Sequence, residues 1–140
     1  SLGEFLALAV SLEDLGLKTG NNKAKILAQT LDAATGQLLQ NNKNPSPKTG
    51  QLDNRASQFY LAMYWAQALA EQKDDAGLAA QFAPLAKQLM NDEKAIVAEL
   101  AAVQGKPADI GGYYMPDFKK LETVMRPSKT LNAALNTVRV

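Results

Sequence analysis

The sequence predicts an all-α fold, an irregular bundle of about six or seven helices. Apolar residues recur at the spacing of an amphipathic helix through most of the 140 residues. No stretch alternates apolar and polar residues as a half-buried strand does, and no internal repeat or heptad run is present. Because the length suits one domain with its own core, we expect residues 1–140 to form a single helical domain.

The first two helices are predicted from their start and stop signals. Ser1 and Glu4 have the spacing of a capping box, and Gly16 offers a stop for the first helix. Asn21 or Asn22 can cap the second helix. The apolar stripes that follow these caps consist of Leu2, Phe5, Leu6, Ala9 and Leu12, and then of Ala24, Leu27, Leu31, Ala34 and Leu38.

A Pro/Asn-rich loop is predicted over residues 41–52, after the second helix. Pro45 and Pro47 fix backbone angles and disfavour helix in this segment. Inside the second helix, Gly36 costs about 1 kcal/mol relative to Ala, so a break is possible there.

The third predicted helix, from about Asp53 to Lys73, is the most informative stretch of the chain. It is apolar nearly all the way round, so it must be buried on most sides and should form the central rod of the fold. Its first half contains Phe59, Tyr60, Tyr64 and Trp65, four of the nine aromatic residues. For Tyr60, Tyr64 and Trp65, a core position is favoured over a stack against a cofactor.

Four shorter helices are expected in the second half of the chain. The fourth has Pro84 near its start or at a kink, and the fifth restarts at 91–92 and continues to 103. A Gly-Gly-Tyr-Tyr loop over 105–116 separates these from a helix over 117–125 that its first residue caps, and from a last helix over 128–138. The fourth helix is recognised by the apolar set Leu78, Phe82, Leu85 and Leu89.

Composition excludes several classes of function. Without His or Cys, these residues cannot form a Ser-His-Asp triad, a His/Cys zinc site, a disulfide or a catalytic thiol. The net charge of +1 gives no electrostatic case for binding nucleic acid or an anionic membrane surface. No apolar run is long enough to span a membrane, and the first ten residues lack the basic leader of a signal peptide, so we expect a cytoplasmic location.

Lys43, Lys48 and Arg55 form a candidate anion site around the loop and the first turn of the third helix. Cations together with the free N–H groups of a helix start suit a phosphate or a carboxylate. The structural alternative is that Asp53 and Arg55 neutralise helix ends and loop carbonyls while the lysines are solvated. The acidic residues do not converge by spacing, so we assign no catalytic and no metal-ligating residue.

Four blocks of the sequence resemble the C-terminal region of monomeric-type NADP-dependent isocitrate dehydrogenases. The longest is NPSPKTGQLDNRASQFYLAMYWA at 44–66. The others are SLGEFLALA at 1–9, GGYYMPD at 111–117 and MRPSKTLNAAL at 125–135. These blocks occur in the order and spacing of the family, and together they are far more specific than any single motif.

The resemblance implies that the chain is the terminal part of a longer bacterial enzyme that oxidises isocitrate with NADP and Mg²⁺ or Mn²⁺. The products would be 2-oxoglutarate, CO₂ and NADPH. Most substrate and metal ligands would lie in the N-terminal and central parts of that enzyme, with which this segment would pack. The segment would support and partly line the cofactor side of the cleft, through Pro47, Lys48 and Arg55. Alone, it is expected to be inactive and to bind no cofactor tightly.

The chain departs from the family pattern at three positions. An Arg that commonly precedes the loop Lys and holds the adenosine phosphate is Pro47 here, and two frequent His positions are Gln58 and Met115. Since an Arg guanidinium commonly binds the extra phosphate that distinguishes NADP from NAD, the first change bears on the preference for NADP over NAD. Lys48 can compensate as a point charge.

The alternative function is a stand-alone helical module that binds another protein through an exposed apolar groove and has no catalysis. A segment of a dehydrogenase should also expose an apolar face that the rest of its parent covers. A homodimer of the isolated segment is one expected consequence of such a face.

Overall fold

The computed structural model of the chain describes residues 2–105, 111, 112, 115 and 117–137. Within these residues the structure contains seven α-helices and no β-strand, which confirms the predicted all-α class. The helices are α1 (Leu2–Thr19), α2 (Asn22–Gln40), α3 (Asn54–Glu71), α4 (Ala76–Asn91), α5 (Glu93–Ala101), α6 (Phe118–Met125) and α7 (Lys129–Asn136).

The predicted stop of the first helix at Gly16 is wrong, because α1 continues to Thr19 and Gly20 follows with φ of +64°. Gly16 instead lies at a close contact between α1 and α2. A Cβ atom there would lie 2.5 Å from Cγ of Lys25 and 3.1 Å from its backbone nitrogen. The glycine therefore permits tight helix packing rather than termination. The predicted cap at Ser1 lies outside the described residues.

Of the two candidate caps for α2, the structure uses Asn21. Its side-chain oxygen accepts a hydrogen bond of 3.2 Å from the N–H of Ala24. The possible break at Gly36 does not occur, since α2 continues to Gln40 and Gly36 is exposed on its surface. Residues 41–53 then form the predicted loop without a helix.

Helix α3 is the central rod of the fold, as predicted. It packs against α2, α4 and α5 and buries side chains on nearly every side. It ends at Glu71, two residues earlier than expected, because the side-chain oxygen of Gln72 accepts the N–H groups of Asp74 and Asp75 at 2.9 Å. The largest apolar side chains that are almost completely buried in this core are Phe59 of α3 itself, Leu31, Leu38, Leu89 and Ile96.

Pro84 neither starts nor ends α4, which is capped by Asp75 and continues through the proline to Asn91. Pro84 removes one N–H donor, but both Pro84 and Ala80 are exposed, so water can satisfy the carbonyl of Ala80. The next helix, α5, begins after the predicted junction at Asp92. It ends two residues short of the expected Val103, in a turn.

The last two helices are short and capped. The side chain of Asp117 accepts the N–H groups of Lys119 and Lys120 at the start of α6, as predicted. Ser128 caps α7, which packs against α4 and α5 and ends at Asn136. Helix α7 thus ends two residues before the expected 138, and much of the predicted loop over 105–116 lies outside the described residues. No described helix is long and apolar enough to cross a membrane.

Candidate functional site

The loop that carries Pro47 and Lys48 is folded into an ordered turn. The N–H of Ser46 donates a hydrogen bond of 2.7 Å to the carbonyl of Leu52, which closes the loop across its base. The hydroxyl of Ser46 donates to the side-chain oxygen of Gln51 at 2.6 Å and accepts the N–H of Lys48 at 3.2 Å. These bonds place Pro47 and Lys48 at the exposed tip of the turn.

The same loop is attached to the turn after α5 through Gln104. The side chain of Gln104 accepts the N–H of Gly50 at 3.2 Å and donates to the carbonyl of Gln51 at 2.6 Å. Gly50 has φ of +88°, which a residue with a side chain rarely adopts. No sequence pattern assigns Gln104 to the site, because its two bonds join residues more than fifty positions apart.

Arg55 clamps the start of α3 to the end of α6. Its Nε and one terminal nitrogen donate to the same carboxylate oxygen of Asp53, at 3.1 and 2.9 Å. The other terminal nitrogen donates to the carbonyl of Val124 at 3.1 Å. The second oxygen of Asp53 accepts the N–H of Ala56 and caps α3. This geometry fits the structural alternative for Asp53 and Arg55, and engages three of the five N–H groups of the guanidinium.

The three predicted cations do not share one environment. Lys43 lies over the ring of Tyr60, with its nitrogen 4.5 Å from the ring centroid, so it stabilises the core edge by a cation–π contact. Arg55 is partly buried in its clamp, with 23% of its side chain exposed. Lys48 is exposed at the tip of the turn, which leaves it the most accessible of the three.

Tyr60 and Tyr64 belong to the core, as the sequence predicted, and not to a ligand stack. Burial raises the pKa of Tyr60 far above its usual value of 10.0, and the hydrogen bond of 2.8 Å that its hydroxyl donates to Glu93 adds to this shift. Burial and the charge of Glu93 also raise the pKa of Tyr64. Both phenols therefore stay protonated at neutral pH and cannot serve as bases.

Two clefts flank the first turns of α3. One, of about 150 Å³, lies between the loop at 50–53 and the α5 side chains Val97 and Ala101. The other, of about 230 Å³, has Arg55 and Arg126 among its lining residues. Among the described residues, no three acidic side chains come together as they would to hold a metal ion. The described site can therefore supply positive charge and shape, but it offers no cluster for metal binding.

The chain belongs to the monomeric isocitrate dehydrogenase family, whose model matches residues 1–136. It is 64% identical over 139 residues to isocitrate dehydrogenase [NADP] 2 of Mycobacterium tuberculosis, and 60% identical over 135 residues to isocitrate dehydrogenase [NADP] of Azotobacter vinelandii. A third relative, isocitrate dehydrogenase [NADP] 2 of Colwellia maris, is 58% identical over 138 residues.

These alignments include nearly all of this chain but a small part of each relative. The match to the Mycobacterium tuberculosis protein covers 99% of this chain and 19% of that protein. The corresponding shares for the Azotobacter vinelandii protein are 96% and 18%. The chain thus spans about a fifth of the length of the curated relatives that it matches, and it corresponds to one segment of them.

Proposed function

We propose that the chain works as part of an isocitrate dehydrogenase that converts isocitrate and NADP to 2-oxoglutarate, CO₂ and NADPH. The observation that carries this proposal is the identity of 56% or more to four relatives named as NADP-dependent isocitrate dehydrogenases, over nearly the whole chain. The chain would act as a single helical domain over 1–140, within a cytoplasmic enzyme.

The proposed role of the loop is to line the cofactor side of the cleft. Lys48 offers an exposed ammonium on a turn that is already hydrogen-bonded. Binding of a phosphate would therefore cost little conformational entropy of the loop. Pro47 would lie beside that phosphate without donating to it. Arg55 would contribute by holding the loop end through Asp53, and its remaining N–H groups could contact an anion.

The chemistry of the described residues fits an anionic cofactor better than a metal. An exposed cation on a rigid turn suits a phosphate, while the described part of the chain brings no three acidic ligands together. We therefore propose that Mg²⁺ or Mn²⁺, and most isocitrate contacts, belong to the N-terminal and central parts of the parent. When bound, NADP would supply the hydride acceptor. The residues described here would orient it.

A chimera tests this function directly. In the Mycobacterium tuberculosis relative, the segment matched by this chain is replaced by the chain itself. We expect isocitrate-dependent formation of NADPH by this full-length chimera, and none by the 140-residue chain alone. A folded chimera without activity, or an active 140-residue chain, would contradict the proposal.

The role of Lys48 has a sharper test in the same chimera. Lys48→Gln should raise KM for NADP roughly tenfold, as loss of one charged phosphate contact predicts, and leave KM for isocitrate unchanged. Lys87→Gln is the matched control, since Lys87 is an exposed lysine on α4, outside the loop. Equal effects of the two substitutions would show that Lys48 makes no specific contact.

A further inference from the structure

Helix α1 exposes large apolar side chains on both sides of its contact with α2. Val10 and Leu17 are 65% and 68% exposed, and Leu6 lies on the same side of the helix at 100° per residue. Leu8 and Leu15 are exposed on the opposite side, at 44% and 47%. The apolar arc of α1 is therefore wider than α2 alone can cover.

The exposure is concentrated on this one helix. Five of the nine large apolar side chains that are exposed in the described residues belong to α1. Leu39 and Met90, by contrast, lie singly on α2 and α4. Single exposed leucines are ordinary on protein surfaces, but a clustered set marks a surface that another segment covers.

On the side of α1 that carries Leu6 and Val10, the exposed surface forms a groove with an acidic rim. Leu6, Val10 and Ala28 form an apolar floor between α1 and α2, with a volume of about 250 Å³. Glu13 on α1 and Asp32 on α2 stand at its edges, and both are exposed. The groove therefore suits an apolar side chain with a Lys or Arg next to it.

We propose that the groove between α1 and α2 docks a segment of the parent enzyme that lies outside these 140 residues, with an apolar side chain on the floor and a cation against the rim. The proposal rests on the proposed function, since it requires a parent. The relatives supply ample chain for it, because this sequence spans only 19% of the Mycobacterium tuberculosis protein.

The rim argues against a second copy of this chain as the occupant. Pairing two grooves face to face would bring Glu13 and Asp32 of one copy against the same carboxylates of the other. Like charges placed opposite each other across an interface oppose association. A basic segment of the parent has no such penalty.

Thiol labelling tests the docking, because the chain contains no Cys of its own. Leu6→Cys and Val10→Cys, both on the floor of the groove, are introduced separately into the 140-residue chain and into the chimera, and the rate of reaction with a small thiol reagent is measured under native conditions. In the chimera, both thiols should react roughly ten times more slowly than in the 140-residue chain. The unsubstituted chimera gives the background rate of labelling.

Leu39→Cys is the matched control, because Leu39 is exposed to 43% on α2 but does not line the groove. Its reaction rate should be the same in both proteins. Equal rates for the thiols at 6 and 10 in the two proteins would overturn the proposal. So would protection in the 140-residue chain that grows with its concentration, because that result identifies a second copy as the occupant.

The acidic rim is tested by Glu13→Lys and Asp32→Lys together in the chimera with the Val10→Cys thiol. Labelling should become several-fold faster than before, whereas the exposed pair Asp74→Lys and Glu71→Lys should leave it unchanged. No change with the rim variant would contradict a basic partner. Since labelling needs no turnover, an inactive chimera with protected thiols would contradict the proposed function and still support the docking.

Discussion

Glu99 on α5 accepts a hydrogen bond of 2.7 Å from the hydroxyl of Thr130 on α7. Its other carboxylate oxygen accepts the hydroxyl of Ser128 and the N–H of Thr130. Ser128 is also the N-cap of α7 and is almost fully buried. One carboxylate thus attaches the start of the last helix to the body of the bundle, and its hydrogen bonds, first that from Ser128, lower the pKa of Glu99.

Glu99→Gln should lower the free energy of unfolding by about 1 kcal/mol at pH 7, because an amide replaces a charged acceptor of three hydrogen bonds. Urea denaturation measures this. Glu71→Gln, at an exposed position on α3, is the control and should change little. Equal loss in both variants would show that the contacts of Glu99 add nothing specific.

The same carboxylate predicts a pH dependence. The pKa of Glu99 in the folded chain lies below its ordinary value of 4.5, so the unfolded chain binds the proton more readily. The stabilisation is therefore complete above pH 4.5 and is lost as pH falls through the lower pKa of the folded state. When thermal unfolding is measured over this pH range, the melting temperature should fall less steeply with decreasing pH for Glu99→Gln than for the unsubstituted chain.

Thr30 and Trp65 provide a second pair with a matched control. The hydroxyl of Thr30 donates to the carbonyl of Ile26 and accepts the indole N–H of Trp65 at 3.0 Å. Thr35 is also buried, but among the described residues its hydroxyl bonds only to the carbonyl of Leu31 in its own helix. Thr30→Val should cost about 1 kcal/mol more than Thr35→Val, because it leaves the indole without its acceptor.

Urea denaturation followed by circular dichroism measures the two threonine variants. Repeating them with Trp65→Phe should remove the difference, since Phe has no N–H to satisfy. A difference that persists in the Phe background would show that the effect comes from packing at Thr30 and not from the hydrogen bond.

The class of the fold and most helix starts could be predicted from the sequence, because they depend on local signals. The side chains of Asp75, Asp117 and Ser128 each accept a backbone N–H from within the next three residues. A helix cap can therefore be recognised from a short stretch of sequence. The apolar pattern of α3 likewise identified the central helix. Gly16 was misread because its role depends on Lys25 across the interface with α2, which no local pattern contains.

The site was predicted less completely, since it is built from distant contacts. Sequence spacing grouped Lys43 with Lys48 and Arg55, but the ring of Tyr60 holds Lys43. The bond from Arg55 to the carbonyl of Val124 spans 69 positions and could not be read from the sequence. The two roles weighed for Arg55 are compatible, because a clamped guanidinium keeps N–H groups available.

Gly16 and Gly36 should respond in opposite ways to substitution by Ala. Gly36 lies on an exposed part of α2 with no atom within 4 Å of an added Cβ, so Gly36→Ala should stabilise the chain by up to about 1 kcal/mol. Gly16→Ala gains the same helix propensity but forces a contact with Lys25, so it should destabilise. Thermal unfolding distinguishes them, and stabilisation by both would contradict the close approach of α1 and α2.

Pro47→Arg tests whether the tip of the loop binds the extra phosphate of NADP. Placed beside Lys48 at the exposed tip of the turn, a guanidinium can make a charged hydrogen bond that proline cannot. In the chimera, it should lower KM for NADP roughly tenfold and leave KM for NAD nearly unchanged, because NAD lacks the extra phosphate. Pro45→Arg adds the same charge at an exposed position two residues earlier and is the control. If both variants lower KM for NADP and KM for NAD to the same extent, the effect comes from long-range electrostatic attraction. The loop tip then does not contact the extra phosphate.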